Sequence, residues 1–480
     1  MKKSLLVLCV TIVLSAGLVT AEDKETSSKP LNARLAQRVF QLTDLVLENH
    51  IDPPTRQQMI LRGLKSTFRA AGAKTPKGLS QSLSAISKEP ELATLLKKWN
   101  SQFKGKEEKL ASAFTQGLMA SISGRPYLIS SEQMRVNSTI AANQYVGTGI
   151  VLRMDKKYGP TMPKVFFNGP AWKAGAKDGD VIVNIDDDDA RKMPLQTVLR
   201  RLRGAKGSLV TVVVRQPNSD KTRTLKITRN VAFIPTVEGF KQLSAGKWQF
   251  TTDGKKKIAY IRVNRIGSST SFEIKRIAAK LQREKLSGVI LDLRFGGGSL
   301  HDTILLANSL LHSGTIGHIQ YTEKRTTHKA KPGALFHGVP MVVLVQRNSN
   351  GDRLFLTAAL QDNGRAKVVG EPTQSDAFVR RPIPIPDAKF AIVMPTGILQ
   401  RGNGKSLMGA RFPENLLSRA GLRILGKKKS TGIIPDFRVP LTNRKLGALQ
   451  RAYAFTTPGL KKPQPDPHVD KAIEVLKASS

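Results

Sequence analysis

Apolar residues recur at three- and four-residue spacing over residues 31–47, 57–70, 92–103 and 111–122, which predicts a run of amphipathic helices in the first part of the chain. From Tyr145 the period changes. Short apolar runs at 145–152, 181–185 and 209–215, separated by Gly and Asp turns, predict strands. Further on, an apolar run at 257–263, a helical spacing at 271–281 and a second apolar run at 288–293 ending in Gly296-Gly297-Gly298 alternate as strand, helix and strand. The pattern repeats at Met341-Val342-Val343-Leu344-Val345, the turn Arg347-Asn348-Ser349-Asn350-Gly351, a helix-like 354–360 and the run Val368-Val369-Gly370. A last helix is expected at 470–477. At 480 residues the chain has room for two or three domains.

The segment 341–373 carries the most chemistry. Its strand, its turn into a helix, Gln361-Asp362-Asn363-Gly364-Arg365-Ala366 and Gly370-Glu371-Pro372-Thr373 resemble the tail-specific, or C-terminal processing, serine peptidases. In that family a Ser-Ala-Ser-Ala-Ser-Glu turn opens the helix, and a lysine base follows the Gly-Glu-Pro-Thr segment. Aligned without a gap on 361–366, the resemblance puts Gly351 at the nucleophile, Asp376 at the lysine and Arg380 at the glutamine that orients it. A Ser-Lys pair works because a partly desolvated amine accepts the hydroxyl proton. Glycine has no hydroxyl to activate, and an aspartate brings negative charge to a place where an oxyanion must be stabilised. Loss of a nucleophile costs on the order of 10⁶ in turnover. The expectation is a catalytically inactive pseudopeptidase. The alternative is an active endopeptidase with a relocated nucleophile, Ser349, whose other reading is a turn residue in Asn-Ser-Asn-Gly.

Leu291-Asp292-Leu293-Arg294-Phe295-Gly296-Gly297-Gly298 is similar to the family's Leu-Asp-Leu-Arg-Gly-Asn-Pro-Gly-Gly, a loop that helps form the oxyanion hole. The resemblance makes Gly297 and Gly298 the candidate donors; the other reading is a tight turn, in which Asp292 and Arg294 form a structural pair. Phe295 and Ser299 depart from the pattern. Upstream, Tyr145-Val146-Gly147-Thr148-Gly149-Ile150, then Gly169-Pro170-Ala171-Trp172-Lys173-Ala174-Gly175 and Gly179-Asp180-Val181-Ile182, resemble a PDZ domain, β-rich with two helices. Such a loop offers backbone N–H groups to a C-terminal carboxylate while the peptide adds to a sheet edge, so Gly147, Thr148, Gly149 and Ile150 are the candidate peptide-binding residues. A groove filled by the protein's own chain is the other reading. Asp186-Asp187-Asp188-Asp189 lacks the alternating spacing and glycine of a calcium loop and is expected to be a solvated turn.

The fold class expected is therefore a mixed α+β and α/β multidomain protein. A helical region over 22–141, which in the family dimerises or docks, precedes a PDZ domain at 142–230. A peptidase-like α/β domain with a mixed sheet occupies 235–442, before an extension at 443–480. Residues 1–21, with Lys2-Lys3, an apolar stretch and Val19-Thr20-Ala21, have the pattern of a secretory signal, which implies the periplasm or cell envelope. The only cysteine, Cys9, sits in that segment, so thiolate chemistry and disulfides are excluded from the mature chain. No cofactor and no metal are expected. The net charge of +41, with 77 Lys and Arg against 36 Asp and Glu, is spread along the chain, including Arg200-Arg201, Lys255-Lys256-Lys257 and Lys427-Lys428-Lys429. Such a field attracts polyanions, and anionic envelope surfaces are the expected class; without nucleic-acid motifs and with an export signal, no specific nucleic acid is expected. Arg401-Gly402-Asn403-Gly404-Lys405-Ser406 ends like a phosphate loop but has Leu399 where the first glycine is needed. A basic envelope-binding scaffold is a third reading of the chain.

Overall fold

The computed structural model describes residues 31–99, 107–141, 144–244, 246–252, 257–349, 351–374, 376–386, 388–408, 432–454 and 465–479. The signal-like segment with Cys9, Lys255-Lys256, Asn350 and Lys427-Lys428-Lys429 lie outside the described residues. The protein is a mixed α+β multidomain chain with a helical N-terminal region, a PDZ-type sheet and a peptidase-like α/β unit.

The N-terminal helices are Leu31–Asn49, Arg56–Ala70, Leu79–Ser84, Glu89–Trp99 and Glu107–Met119. Helix Arg56–Ala70 opens on a capping box: Gln58 N donates to the Thr55 hydroxyl at 3.2 Å, and Thr55 N donates to Gln58 Oε1 at 3.0 Å. Met59, Leu64, Phe68, Leu92, Leu96, Phe114 and Leu118 make the core of this region, and Ile392 and Met394 from strand Phe390–Gln400 close it. The helices therefore dock on a sheet that belongs to the end of the chain. A short strand, Tyr127–Ser130, pairs antiparallel with that same strand. The helical reading of 22–141 did not contain it, because a four-residue strand whose partner is far along the chain leaves no local signal.

The PDZ-type sheet has the order Ile150–Asp155, Gly159–Val165, Asp180–Ile185, Leu209–Arg215, Thr222–Thr228, all antiparallel. Helices Pro170–Lys173 and Leu195–Leu202 cover it over a core of Met162, Ile182, Ile185, Val198, Val210, Val212 and Ile227.

The peptidase-like unit is built on a six-stranded sheet with the order Val237–Glu238, Lys257–Val263, Leu286–Asp292, Met341–Val345, Lys367–Gly370, Phe437–Arg438. Only the first pairing is antiparallel. The central strands are apolar on both faces because both faces are covered. Helices Thr270–Leu281, Leu300–Leu310 and Gly351–Asp362 pack on one side, and Val469, Ala472, Val475 and Leu476 of helix Pro467–Ala478 pack on the other. A second, antiparallel sheet is organised around Phe390–Gln400, which joins the peptidase core through Ile398 and Leu399 and the helical core through Ile392 and Met394.

Candidate functional site

Parallel sheets place ligands beyond the carboxyl ends of their strands, and the segments after the neighbouring parallel strands Leu286–Asp292, Met341–Val345 and Lys367–Gly370 carry the candidate catalytic and oxyanion positions. Strand Met341–Val345 leaves the sheet into a tight turn. Ser349 is 3% exposed; its N–H donates to Gln346 O at 2.9 Å and its hydroxyl accepts from Gln346 N at 3.1 Å. Asn348 N donates to Gln346 Oε1, and Gln346 Nε2 donates to Arg294 O at 3.1 Å. The Ser349 hydroxyl thus closes the turn. Gly351 starts helix Gly351–Asp362, and among the described residues a Cβ built on it meets only Phe378 O, at 3.8 Å. Among the described residues, no other group fills the position that a side chain at Gly351 would take.

On either side of Phe378 in the chain, Asp376 and Arg380 form a two-pronged ion pair, Nη1–Oδ1 2.8 Å and Nη2–Oδ2 2.9 Å. Arg380 also donates to Gly124 O at 2.9 Å, which ties this segment to the end of the helical region. The two positions that the resemblance assigns to a base and its orienting partner therefore neutralise each other.

The glycine loop follows strand Leu286–Asp292. Gly296 has φ +92°, and a Cβ there would lie 1.8 Å from Asn264 O, so only glycine fits. Gly297 and Gly298 pair in parallel with Arg265 and Ile266, and among the described residues a Cβ on Gly297 would meet no heavy atom within 4 Å. Ser299 caps helix Leu300–Leu310, accepting from Asp302 N at 3.4 Å. Arg294, 1% exposed, holds Asp292 through Nε (2.9 Å) and Nη2 (2.7 Å) and Asp466 through Nη1 (2.9 Å) and Nη2 (2.8 Å). Burial pushes the Asp292 carboxyl up, but Arg294 and the Tyr260 hydroxyl outweigh it and hold it at about 2. This network spans the sheet and the last helix, and it is structural.

Two further groups follow Gly351, and the sequence reading did not single them out. Burial pushes Asp352 up to about 6 against the pull of Arg353 and Arg265. Arg353 is 1% exposed and burial pushes its guanidinium down to about 10. The only sequence signal was an Arg one residue after Asp352 in an otherwise apolar helix start.

In the PDZ-type sheet, strand Ile150–Asp155 is an edge: it pairs with Gly159–Val165 on one side, and helix Leu195–Leu202 packs beside it. The loop before it is held from behind, Phe166 N donating to Gly149 O at 2.9 Å and Ala171 N to Thr148 O at 2.7 Å. Gly149 adopts φ +79°. The Tyr145 hydroxyl accepts from Ile150 N at 3.0 Å and donates to Ile150 O at 3.4 Å, so one donor of the candidate carboxylate loop is already engaged. Burial pushes this phenol up.

In the aspartate run, Asp186 turns at φ 52°, Asp188–Asp189 folds back on strand Asp180–Ile185, and Asp189 accepts from Arg191 Nε at 2.9 Å. Among the described residues no group of three or more His, Cys, Asp or Glu is placed to hold a metal ion.

Residues 257–412 match peptidase family S41, and residues 168–216 match the PDZ domain. The chain is similar to the carboxyl-terminal-processing protease of Picosynechococcus sp., 29% identical over 276 residues that make up 56% of this chain and 64% of that protein. It is also similar to the chloroplastic C-terminal processing peptidase of Tetradesmus obliquus, 30% identical over 230 residues, 47% of this chain and 49% of that one. The chain thus spans less than two thirds of the length of these curated relatives. Among solved structures, the photosystem II D1 C-terminal processing protease is 20% identical with a TM-score of 0.42, covering 86% of this chain and 94% of its own.

Proposed function

We propose that this chain, which carries a peptidase family S41 segment behind a PDZ domain and is related to C-terminal processing peptidases, is an exported pseudopeptidase that binds peptide C-termini without cutting them. The observation that carries the reading is the start of helix Gly351–Asp362. Among the described residues only Phe378 O comes near the position of a side chain at Gly351, and Asp376 and Arg380, on either side of Phe378 in the chain, are closed on each other. A nucleophile must share a hydrogen bond with its base, and here neither side chain is present. Ser349 does not favour the relocated-nucleophile reading, since it is buried and its hydroxyl accepts from Gln346 N.

Peptide binding is assigned to edge strand Ile150–Asp155 and the loop Gly147, Thr148, Gly149 and Ile150, where an extended peptide would add to the sheet and leave its carboxylate on the loop. Export is assigned from the leader pattern at 1–21. The charge of +41 adds attraction to anionic envelope surfaces, retention on anionic vesicles that weakens with salt being its mark. The peptide assignment is tested by calorimetry with peptides compared as free acid and C-terminal amide. Binding of the acid forms alone is expected; equal affinity for both forms would remove the loop from the reading.

A further inference from the structure

Helix Leu195–Leu202 packs beside edge strand Ile150–Asp155, and its end carries three exposed arginines, Arg200, Arg201 and Arg203. Arg201 is paired with Asp188. Arg203 caps the helix, its N–H donating to Leu199 O at 3.2 Å. Among the described residues no hydrogen bond or ion pair engages its guanidinium. An exposed arginine is ordinary on a protein surface; the position of this one in the fold is not.

The helix end is fastened to the candidate carboxylate loop through a second, buried arginine. Arg229 donates from Nε to Leu202 O at 3.2 Å and from Nη2 to Arg201 O at 2.7 Å, taking up carbonyls that a helix leaves unpaired in its last turn. Its Nη1 donates to Leu209 O at 2.8 Å and to the Ser208 hydroxyl at 3.0 Å. Gly204, the residue after Arg203, lies against this side chain: a Cβ there would be 2.8 Å from Arg229 Nε. The residue after Arg229, Asn230, pairs with Gly147 in the ribbon that leads into the loop. The backbone of Arg203 is thereby tied to the loop, and its side chain is left to meet solvent or a ligand.

In the loop, the Tyr145 hydroxyl stands where a carboxylate oxygen would be received. Burial pushes this phenol up, while the Ile150 and Gly149 N–H groups and then the Arg203 charge pull the other way, and no acidic side chain enters that balance. Two neighbouring backbone donors and one guanidinium thus bear on a single oxygen. A carboxylate that replaces it brings a full negative charge, and the carbonyl end of helix Leu195–Leu202, which carries partial negative charge, opposes that charge. Backbone N–H groups are neutral donors. A guanidinium supplies the opposing charge, in a hydrogen bond roughly twice as strong as one between neutral groups.

We propose that Arg203 contacts the terminal carboxylate of the bound peptide, the loop Gly147, Thr148, Gly149 and Ile150 supplying the backbone donors and Arg203 the charge. The proposal rests on the reading that this loop receives a peptide terminus, and it adds a residue that distinguishes a free carboxylate from a neutral C-terminal amide by its charge.

The test uses the mature full chain and a set of N-acetylated, alanine-based hexapeptides with different uncharged last residues, whose one charge is the C-terminal carboxylate. Each is measured by calorimetry as free acid and as amide against the wild type, Arg203→Gln, Arg203→Lys and Lys226→Gln. Lys226 is exposed on strand Thr222–Thr228, at the opposite edge of the sheet from Ile150–Asp155, so its variant loses the same charge away from the loop. For the peptide that the wild type binds best, Arg203→Gln should lower the affinity of the acid about 10-fold, as loss of a hydrogen bond to a charged group does, and leave that of the amide unchanged. Arg203→Lys, which keeps the charge without the planar fork, should recover part of the loss, and Lys226→Gln should bind as the wild type does. A wild-type preference for the acid that survives Arg203→Gln overturns the proposal and leaves the loop reading standing. So does an equal fall in acid and amide affinity, the mark of a structural role, or a loss that Lys226→Gln shares, the mark of the general field. A wild type that binds acid and amide alike, or binds no member of the set, removes the loop reading and the proposal with it.

Discussion

Tyr145→Phe should tighten the binding of peptide C-termini. The Tyr145 hydroxyl accepts from Ile150 N at 3.0 Å, so an incoming carboxylate has to displace it from one of the donors it needs. The ring itself packs on Gly147, where a Cβ would lie 2.7 Å from Tyr145 Cε2, and phenylalanine keeps that contact. Removing only the hydroxyl leaves the Ile150 N–H without a partner in the free protein, at a cost of about 1–2 kcal/mol. The bound protein does not bear that cost, because the carboxylate supplies a charge-assisted acceptor. The same quantity therefore appears twice: as a loss of stability in the free protein and as a gain in affinity of about 5- to 30-fold. Calorimetry with acid and amide peptides reads the second, and urea unfolding of the ligand-free chain reads the first. A folded Tyr145→Phe protein whose affinity for acid peptides is unchanged would refute the reasoning, because Ile150 N–H would then not be a carboxylate donor.

Asp352→Asn should stabilise the protein at neutral pH and have little effect in acid. The folded-state carboxyl titrates near 6, above its ordinary value, so the native state holds a proton that the unfolded chain has lost between about pH 4 and 6. Stability is therefore greatest below that window and falls as pH rises through it, by at most about 3 kcal/mol at pH 7. Urea unfolding of both proteins at pH 4 and pH 7.5 should show a difference only at the higher pH, and a difference independent of pH would remove Asp352 as its source. Asp466→Ala should destabilise by about 3 kcal/mol, since a buried ion pair that loses one partner leaves charge uncompensated. Asp466 accepts from both Arg294 nitrogens and from the Tyr453 hydroxyl at 2.6 Å, and a loss below about 1 kcal/mol, the value of an ordinary exposed pair, would show that Asp292 alone satisfies Arg294.

Much of this was legible in the chain. Strand Met341–Val345 is five consecutive apolar residues because both of its faces are covered, and the turn after it carries Gly and Asn at the helix start. The PDZ-type strands announced themselves through the glycine loops between them. What escaped depends on contacts between distant segments. Tyr127–Ser130 is a strand only because Phe390–Gln400 is there to pair with it. Asp376 and Arg380 could be read as substitutions, but their closure on each other and on Gly124 needed coordinates. Tyr145 gave only an aromatic two residues before a glycine. It belongs to a site because of what surrounds it.

The central claim, that the chain binds peptide C-termini without cutting them, is tested most directly on its second half by incubating the purified mature protein with casein and with a serine-reactive fluorophosphonate. With Gly351 at the nucleophile position and Asp376 held by Arg380, no cleavage and no labelling are expected. Robust turnover that disappears in Ser349→Ala would contradict the account.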